Sequence, residues 1–287
     1  MITVQNLMFT YPQATGETLH GLDFEIAEQE IFGFLGPSGA GKSTTQKIII
    51  GLLKNYGGNI TVMGKELRDW GHDYYEHIGV SFELPNHYLK LTAMENLKYF
   101  QSLYSHDTHD PLDVLDWVGL KDDADKLVSD YSKGMKVRLN VARGLLHKPK
   151  VLFLDEPTSG LDPVNARNIK SLILRLRDEG TTVFVSTHNM TVADELCDRV
   201  AFINSGQISA IDAPTTLKRQ YGKREVMVEY VDANQQAMTQ QFLLDGLGNN
   251  ADFLDLLQSG HQIETIHTQE TTLEQIFIEI TGEALAI

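Results

Sequence analysis

The sequence predicts an α/β protein built around a parallel sheet, and three observations predict it. A glycine-rich segment, GPSGAGKST at 36–44, lies between an apolar run and a helix-like run. Farther along, VLFLDE, TTVFVST and VAFINSG read as three short apolar strands. The first two of these are separated by a helical stretch, and strands alternating with helices imply parallel pairing, since the crossover returns the chain to the same end of the sheet.

Residues 2–11 and 22–35 alternate or run apolar with few helix signals, and they read as strands feeding the glycine-rich segment. After Lys42, KIIIGLL reads as a helix closed by the turn residues of 55–58. From Glu83 to His147 the pattern is mostly helical, broken at SHDTHDP and KDDADK and ended by Pro149. This reads as a helical subdomain, about 84–148, inserted between strands of one sheet. The helix after VLFLDE has Asp162 to cap it, Pro163 at its first position and Gly180 at its end. Beyond Gly222, REVMVEY, FLDLLQ, QIETIH and TLEQIFIEITG predict a small α+β unit, with Thr271 and Glu274 spaced as a capping box. Two domains are therefore expected, 1–222 and 223–287.

The 287 residues suit one large domain with a small appendage, and an apolar fraction of 42% supplies a sizeable core. No apolar stretch approaches the roughly 18 to 20 residues that cross a bilayer. The start lacks a signal-peptide pattern, so a cytoplasmic location is expected. A formal net charge of −15 repels nucleic-acid backbones and anionic lipid headgroups, which argues against nucleic acid as a partner. The one cysteine, Cys197, reads as a packed small side chain. SHDTHDP, with His106, Asp107, His109 and Asp110, lacks a second ligand cluster and reads as a solvated loop.

GPSGAGKS at 36–43 fits a phosphate-binding loop, GxxxxGK followed by Ser or Thr, in the required strand-to-helix setting. The residues from Gly36 through Pro37, Ser38, Gly39, Ala40 and Gly41 let backbone N–H groups close around phosphate oxygens, and Thr44 extends the set into the helix. Lys42 reaches the β- and γ-phosphates, and Ser43 ligates Mg²⁺. VLFLDE is a buried strand ending in two carboxylates: Asp155 on the Mg²⁺ side, and Glu156 as the base that orients or deprotonates water.

YSKGMKVRL at 131–139 resembles the signature loop and helix of ABC ATPases, and the whole motif order over residues 2–222 matches that family. The resemblance implies a P-loop ATPase fold: a mixed sheet with an antiparallel flank, a helical subdomain and a small C-terminal extension. It implies that Ser132, Lys133, Gly134 and Met135 close over ATP held by a second ATPase subunit, in a head-to-tail dimer formed by two copies of this chain or by this chain with a related one. SGLDP resembles the loop through which the subunits communicate, Ser159, Gly160, Leu161 and Asp162. His188 resembles the switch histidine at the γ-phosphate, and Tyr11 stands where the family stacks an aromatic ring on adenine.

The chain departs from the family pattern at three positions. Glu83 replaces the usual glutamine; it can still ligate Mg²⁺ but adds negative charge near the γ-phosphate. Lys133 and Met135 replace a glycine and a glutamine, as in exporter-type members, and the tail resembles the extension of bacterial exporter ATPases serving drugs, lipids or polysaccharides. The implied function is ATP hydrolysis that powers export through a separate membrane permease docked near Glu83–Leu97, with this chain peripheral at the inner membrane face. A nucleic-acid ATPase of the superfamily would need a coiled-coil arm, which the short stretch between Lys42 and Ser132 does not hold. A hydrolysis-poor regulatory module has only Glu83 in its favour, with Glu156 and His188 against it.

Overall fold

The structure is a computed structural model describing residues 1–12, 14–84, 86–232, 234–269 and 271–282. The chain divides into two compact units, Met1–Ala213 and a second that begins at Pro214.

In the first unit the order is β1 (Ile2–Phe9), β2 (Leu19–Ile26), β3 (Ile31–Leu35), α1 (Lys42–Ile49), β4 (Gly57–Val62), β5 (Lys65–Glu66) and β6 (Ile78–Ser81). Next come α2 (Ala93–Gln101), α3 (Pro111–Trp117), α4 (Lys133–Leu145), β7 (Val151–Asp155) and α5 (Pro163–Asp178). The unit closes with β8 (Thr182–Thr187), α6 (Met190–Leu196), β9 (Arg199–Asn204) and β10 (Gln207–Asp212).

Strands β2-β1-β4-β5 form an antiparallel sheet, and β10-β9-β3-β8-β7-β6 a mixed sheet whose inner pairs are parallel. The residue patterns explain the difference. In β1, buried Ile2 and Val4 alternate with exposed Thr3 and Gln5, as one covered face requires. In β3 and β8 every residue is buried, as in parallel strands covered on both faces. Between the sheets lies the main core, where Phe24 meets Phe32 and Phe34 with ring centroids 5.7 and 5.4 Å apart.

The parallel register determines where chemistry can occur. Leu35 pairs with Thr187, and Asp155 with Ser186, so β3, β7 and β8 end along one edge. Ser81 pairs with Leu154, which brings the chain leaving β6 to the same edge. Open α/β sheets bind ligands outside these carboxyl ends.

The second unit holds α7 (Pro214–Tyr221), β11 (Glu225–Val231), β12 (Ala237–Leu243), α8 (Ala251–Gln258), β13 (Gln262–Gln269) and α9 (Leu273–Thr281). Its antiparallel sheet, β12-β11-β13, carries a small core of Val226, Val228, Phe242 and Leu256.

Two local expectations are corrected. The capping box of α9 is formed by Thr272 and Gln275, one residue beyond the predicted Thr271 and Glu274. The Thr271 hydroxyl is already engaged with the backbone of Lys223, which leaves the next threonine to cap the helix. Helix α1 stops at Ile49, short of the predicted KIIIGLL run, because the chain turns at Gly51 with a φ of 81°. Strands β4, β5, β10 and β12 were not predicted.

Candidate active site

The loop after β3 closes tightly on its surroundings. A Cβ on Gly36 would stand 2.0 Å from the Ile203 carbonyl oxygen of β9, so only glycine fits. Gly41 caps α1 in the left-handed region, φ 112°, with no side-chain hydrogen bond to the helix N-terminus. The first N–H groups of α1 therefore have no capping side chain, the arrangement that suits a phosphate.

Lys42 begins α1 and is only 9% exposed. Its Nζ donates to the carbonyls of Gly36 and Pro37 at 2.6 and 3.0 Å. Burial pulls its ammonium below the usual range, while the carboxylates of Glu156, Asp155 and Glu83 act in the opposite direction. Burial pushes the Asp155 carboxyl up, against a 2.5 Å hydrogen bond donated by Ser186 Oγ. Three carboxylates thus share a pocket with one ammonium, a balance that favours an added cation.

Glu156 is 8% exposed and holds a left-handed φ of 50°, a conformation that costs a non-glycine residue about 1 kcal/mol or more. Its carboxylate is held at both oxygens: Oε2 accepts from Thr187 Oγ1 at 2.8 Å, and Oε1 from the His188 N–H at 2.8 Å. His188 Nδ1 lies 2.5 Å from the same Oε1, with the imidazole more than half exposed. The strained backbone and the strand pairing together bring this carboxylate and the His188 imidazole into contact.

A pocket of about 320 Å³ gathers ten of the residues read from the sequence. Ser38, Gly39, Gly41, Lys42, Ser43 and Thr44 line one side; Glu83, Asp155, Glu156 and His188 line the other. Gly36 and Pro37 serve through the carbonyls that hold Lys42, and Ala40 ties the loop to Gly206 through its own carbonyl. Tyr11 stands at the margin, its hydroxyl 3.1 Å from Thr44 Oγ1 and its ring edge-on to Phe9.

The signature residues do not line this pocket. Ser132 caps α4 by accepting from the Met135 N–H at 3.1 Å, with Ser132 and Lys133 exposed and Gly134 and Met135 half-buried. Gly134 runs beside Gly160 and Leu161, so the two loops assigned to subunit contact touch each other within one chain. That second loop starts from Glu156, whose carbonyl accepts from the Ser159 N–H at 3.0 Å, and ends at Asp162, which caps α5.

Sequence reading missed Gln46, Ser186 and Thr187, which orient the acids. Ser186 Oγ bridges Asp155 and the Gln46 side chain, and the Gln46 Nε2 is buried without a partner among the described residues. The available signal was polar residues closing the apolar strand TTVFVST, and a glutamine on the buried face of α1.

Comparison with known proteins places the chain in a family. Residues 19–159 match the family described as ABC transporter, and 224–270 match the fluoroquinolone efflux ABC transporter C-terminal domain. A fluoroquinolones export ATP-binding protein of Mycobacterium tuberculosis is 54% identical over 99% of this chain and 94% of its own. The bacitracin transport ATP-binding protein of Bacillus licheniformis is 32% identical over 91% of both. A solved dimeric ATP-binding cassette in a post-hydrolysis state with ADP and Pi superposes with a TM-score of 0.68, at 27% identity, covering 74% of this chain and 98% of that one. The chain belongs to the ATP-binding subunits of ABC transporters, a family of P-loop ATPases.

Proposed function

We propose that this subunit hydrolyses Mg-ATP at Glu156 and thereby powers export of fluoroquinolone-like drugs through a separate membrane permease. The drug class rests on the high identity to a fluoroquinolone export ATP-binding protein, reinforced by the match of residues 224–270. The observation that carries the chemistry is the Glu156 carboxylate held by Thr187 and His188 beside the phosphate loop.

Water attacks the γ-phosphate in line, with Glu156 orienting it and accepting its proton, while the bond from Pγ to the bridging oxygen breaks and ADP leaves. Lys42 leaves the loop carbonyls to meet the β- and γ-phosphates, and His188 contacts the γ-phosphate from the far side. Tyr11 supports the adenine. Ser43, Asp155 and Glu83 are an all-oxygen donor set in one pocket and fit Mg²⁺, which takes one or two carboxylates and completes its shell with phosphate oxygens and water. No larger protein cage is needed, and among the described residues there is no cluster of three ligating His, Cys, Asp or Glu. When bound, the ion neutralises charge on the phosphates.

In this reading two copies of the chain assemble head to tail, and Ser132, Lys133, Gly134 and Met135 of each complete the site of the other. Ser159, Gly160, Leu161 and Asp162 carry signals between them. Residues 1–222 are the ATPase domain, with 84–148 its helical subdomain, and 223–287 an accessory domain; the second family match beginning at 224 supports that boundary. The permease docks near Glu83–Leu97, where Leu84, Tyr88 and Leu89 are exposed. No helix among the described residues is long and apolar enough to cross a membrane. The subunit works at the cytoplasmic membrane face through that permease.

The test combines gel filtration and phosphate release for wild type and Glu156→Gln, with drug accumulation in cells expressing the chain beside a candidate permease. A Glu156→Gln protein that dimerises only with Mg-ATP, a wild type that turns over, and lowered fluoroquinolone accumulation support the reading. Turnover without any change in accumulation would remove the drug class and leave the ATPase.

A further inference from the structure

Three successive turns of α4 grip the chain that leaves β6. Lys136, Asn140 and Arg143 recur at i, i+4 and i+7 and so share one helix face. The Lys136 carbonyl accepts from His87 Nε2 at 2.9 Å. Asn140, 1% exposed, donates from Nδ2 to Ser81 Oγ at 3.0 Å and to the Phe82 carbonyl at 2.7 Å. Its Oδ1 accepts from Arg143 Nη2 at 2.6 Å. Arg143 Nη1 donates to the Asn86 carbonyl at 2.8 Å, and the guanidinium lies 4.8 Å from the Phe100 ring centroid on α2.

Glu83 lies between the held points, one residue after Phe82 and three before Asn86, and its side chain lines the phosphate pocket. The hydrogen bonds reach the backbone on both sides of it, so Phe82 and Asn86 cannot shift against α4 without unpairing the buried Asn140 amide and the Arg143 guanidinium. The same helix begins at Ser132, the exposed cap assigned to the neighbouring subunit's nucleotide.

We infer that Asn140, together with Arg143, is a positioning residue that ties Glu83 to helix α4, so that the signature end of α4 and the Glu83 carboxylate move as one body. This rests on the reading of Glu83 as a group at the Mg-ATP site. In a head-to-tail dimer Glu83 serves the chain's own nucleotide while Ser132 serves the partner's, so α4 links the two ATP sites through a single subunit.

The experiment uses the full chain with Asn140→Ala and Glu83→Ala, singly and together, in phosphate release. A parallel arm titrates Mg²⁺ in ATP-driven dimerisation of the Glu156→Gln background by gel filtration. Asn140→Ala is expected to lower kcat about tenfold with KM for ATP little changed, as misplacement of a positioned group does. It should also raise the Mg²⁺ needed for half-dimerisation. Because Asn140 acts through Glu83, the double variant should be no worse than Glu83→Ala alone.

Effects that multiply, or an Asn140→Ala protein like wild type beside a defective Glu83→Ala, overturn the inference and leave the site reading intact. A Glu83→Ala protein normal in both arms removes the site reading and the inference with it. Asn140→Asp keeps the shape and the Arg143 bond but sets an oxygen against the Phe82 carbonyl; it should share the defect, and wild-type behaviour would overturn the role of that bond. Should neither Asn140 variant fold, hydrogen exchange of Glu156→Gln decides: on adding ATP, amides of 82–88 and 133–138 should gain protection together, and independent protection overturns the link.

Discussion

Two helices begin at functional loops, and they begin differently. Helix α1 starts behind Gly41 with no side-chain cap, a buried lysine and three carboxylates across the pocket. Helix α4 starts at an exposed Ser132 whose own hydroxyl accepts from the Met135 N–H. The first end is a furnished site within one chain, with its charges and donors arranged around a space. The second is satisfied locally and presents its hydroxyl and backbone to whatever approaches from outside. A site split between subunits needs both kinds of end: one that binds ATP alone, and one that acts only after a partner closes.

The sharpest test of that contrast is the base. Glu156→Gln should reduce phosphate release by about 10²-fold or more, the usual loss for a positioned general base, with ATP binding retained. Equal loss of binding and turnover would show that Glu156 holds nucleotide and does not act on water.

Acid should act at neither start but at the far, C-terminal end of α4. His147, just past α4, is buried against Tyr104 with its Nε2 at 2.8 Å from the Ile78 carbonyl, and burial pushes its pKa down to about 4. The unfolded chain binds this proton near pH 6.5, so its contribution is full above pH 6.5 and is lost as pH falls towards 4. The shift is worth about 3 kcal/mol, and urea midpoints from pH 7 to 4 should fall accordingly. In His147→Gln, which keeps a donor for Ile78, the fall should flatten by one proton; an unchanged slope would assign the acid sensitivity elsewhere.

Ser132→Ala removes a cap, at a cost of about 1 kcal/mol in stability. It should also abolish most turnover while leaving ATP binding untouched. Mixing it with Lys42→Ala regenerates one intact composite site per mixed dimer, so activity should return on mixing. Two inactive proteins that stay inactive together would make the site a single-chain one. The smallest effect is expected at Tyr11, where Tyr11→Phe loses the 3.1 Å bond to Thr44 but keeps the ring, changing ATP affinity by about threefold or less. Tyr11→Ala should cost more, since the ring itself is the proposed adenine support.

The candidate site residues were legible wherever they sit in short strings with a fixed backbone consequence. GPSGAGKST, VLFLDE and the histidine after TTVFVST each announce a strand end and the group it presents. Strand β12 was not legible, because of its seven residues only Phe242 is buried and the rest carry no alternation to read. Asn140 was hidden in the same way. Its partner, the Phe82 carbonyl, lies 58 residues back, and no local pattern marks an asparagine as a clamp. The shift of the α9 cap from Thr271 to Thr272 was decided by Lys223, 48 residues away.

By itself the sequence determined the properties that act over a few residues: the glycine turn before α1, the caps at Ser132 and Asp162, and the all-apolar strands that must be buried on both faces. Only the tertiary structure decided that Leu35, Asp155 and Thr187 end along one edge, and that Glu156 meets His188 at 2.5 Å while α4 holds the chain around Glu83. Caps and turns are energies of neighbouring groups. Strand register and buried hydrogen bonds between distant segments form only when the whole sheet and its covering helices exclude water together.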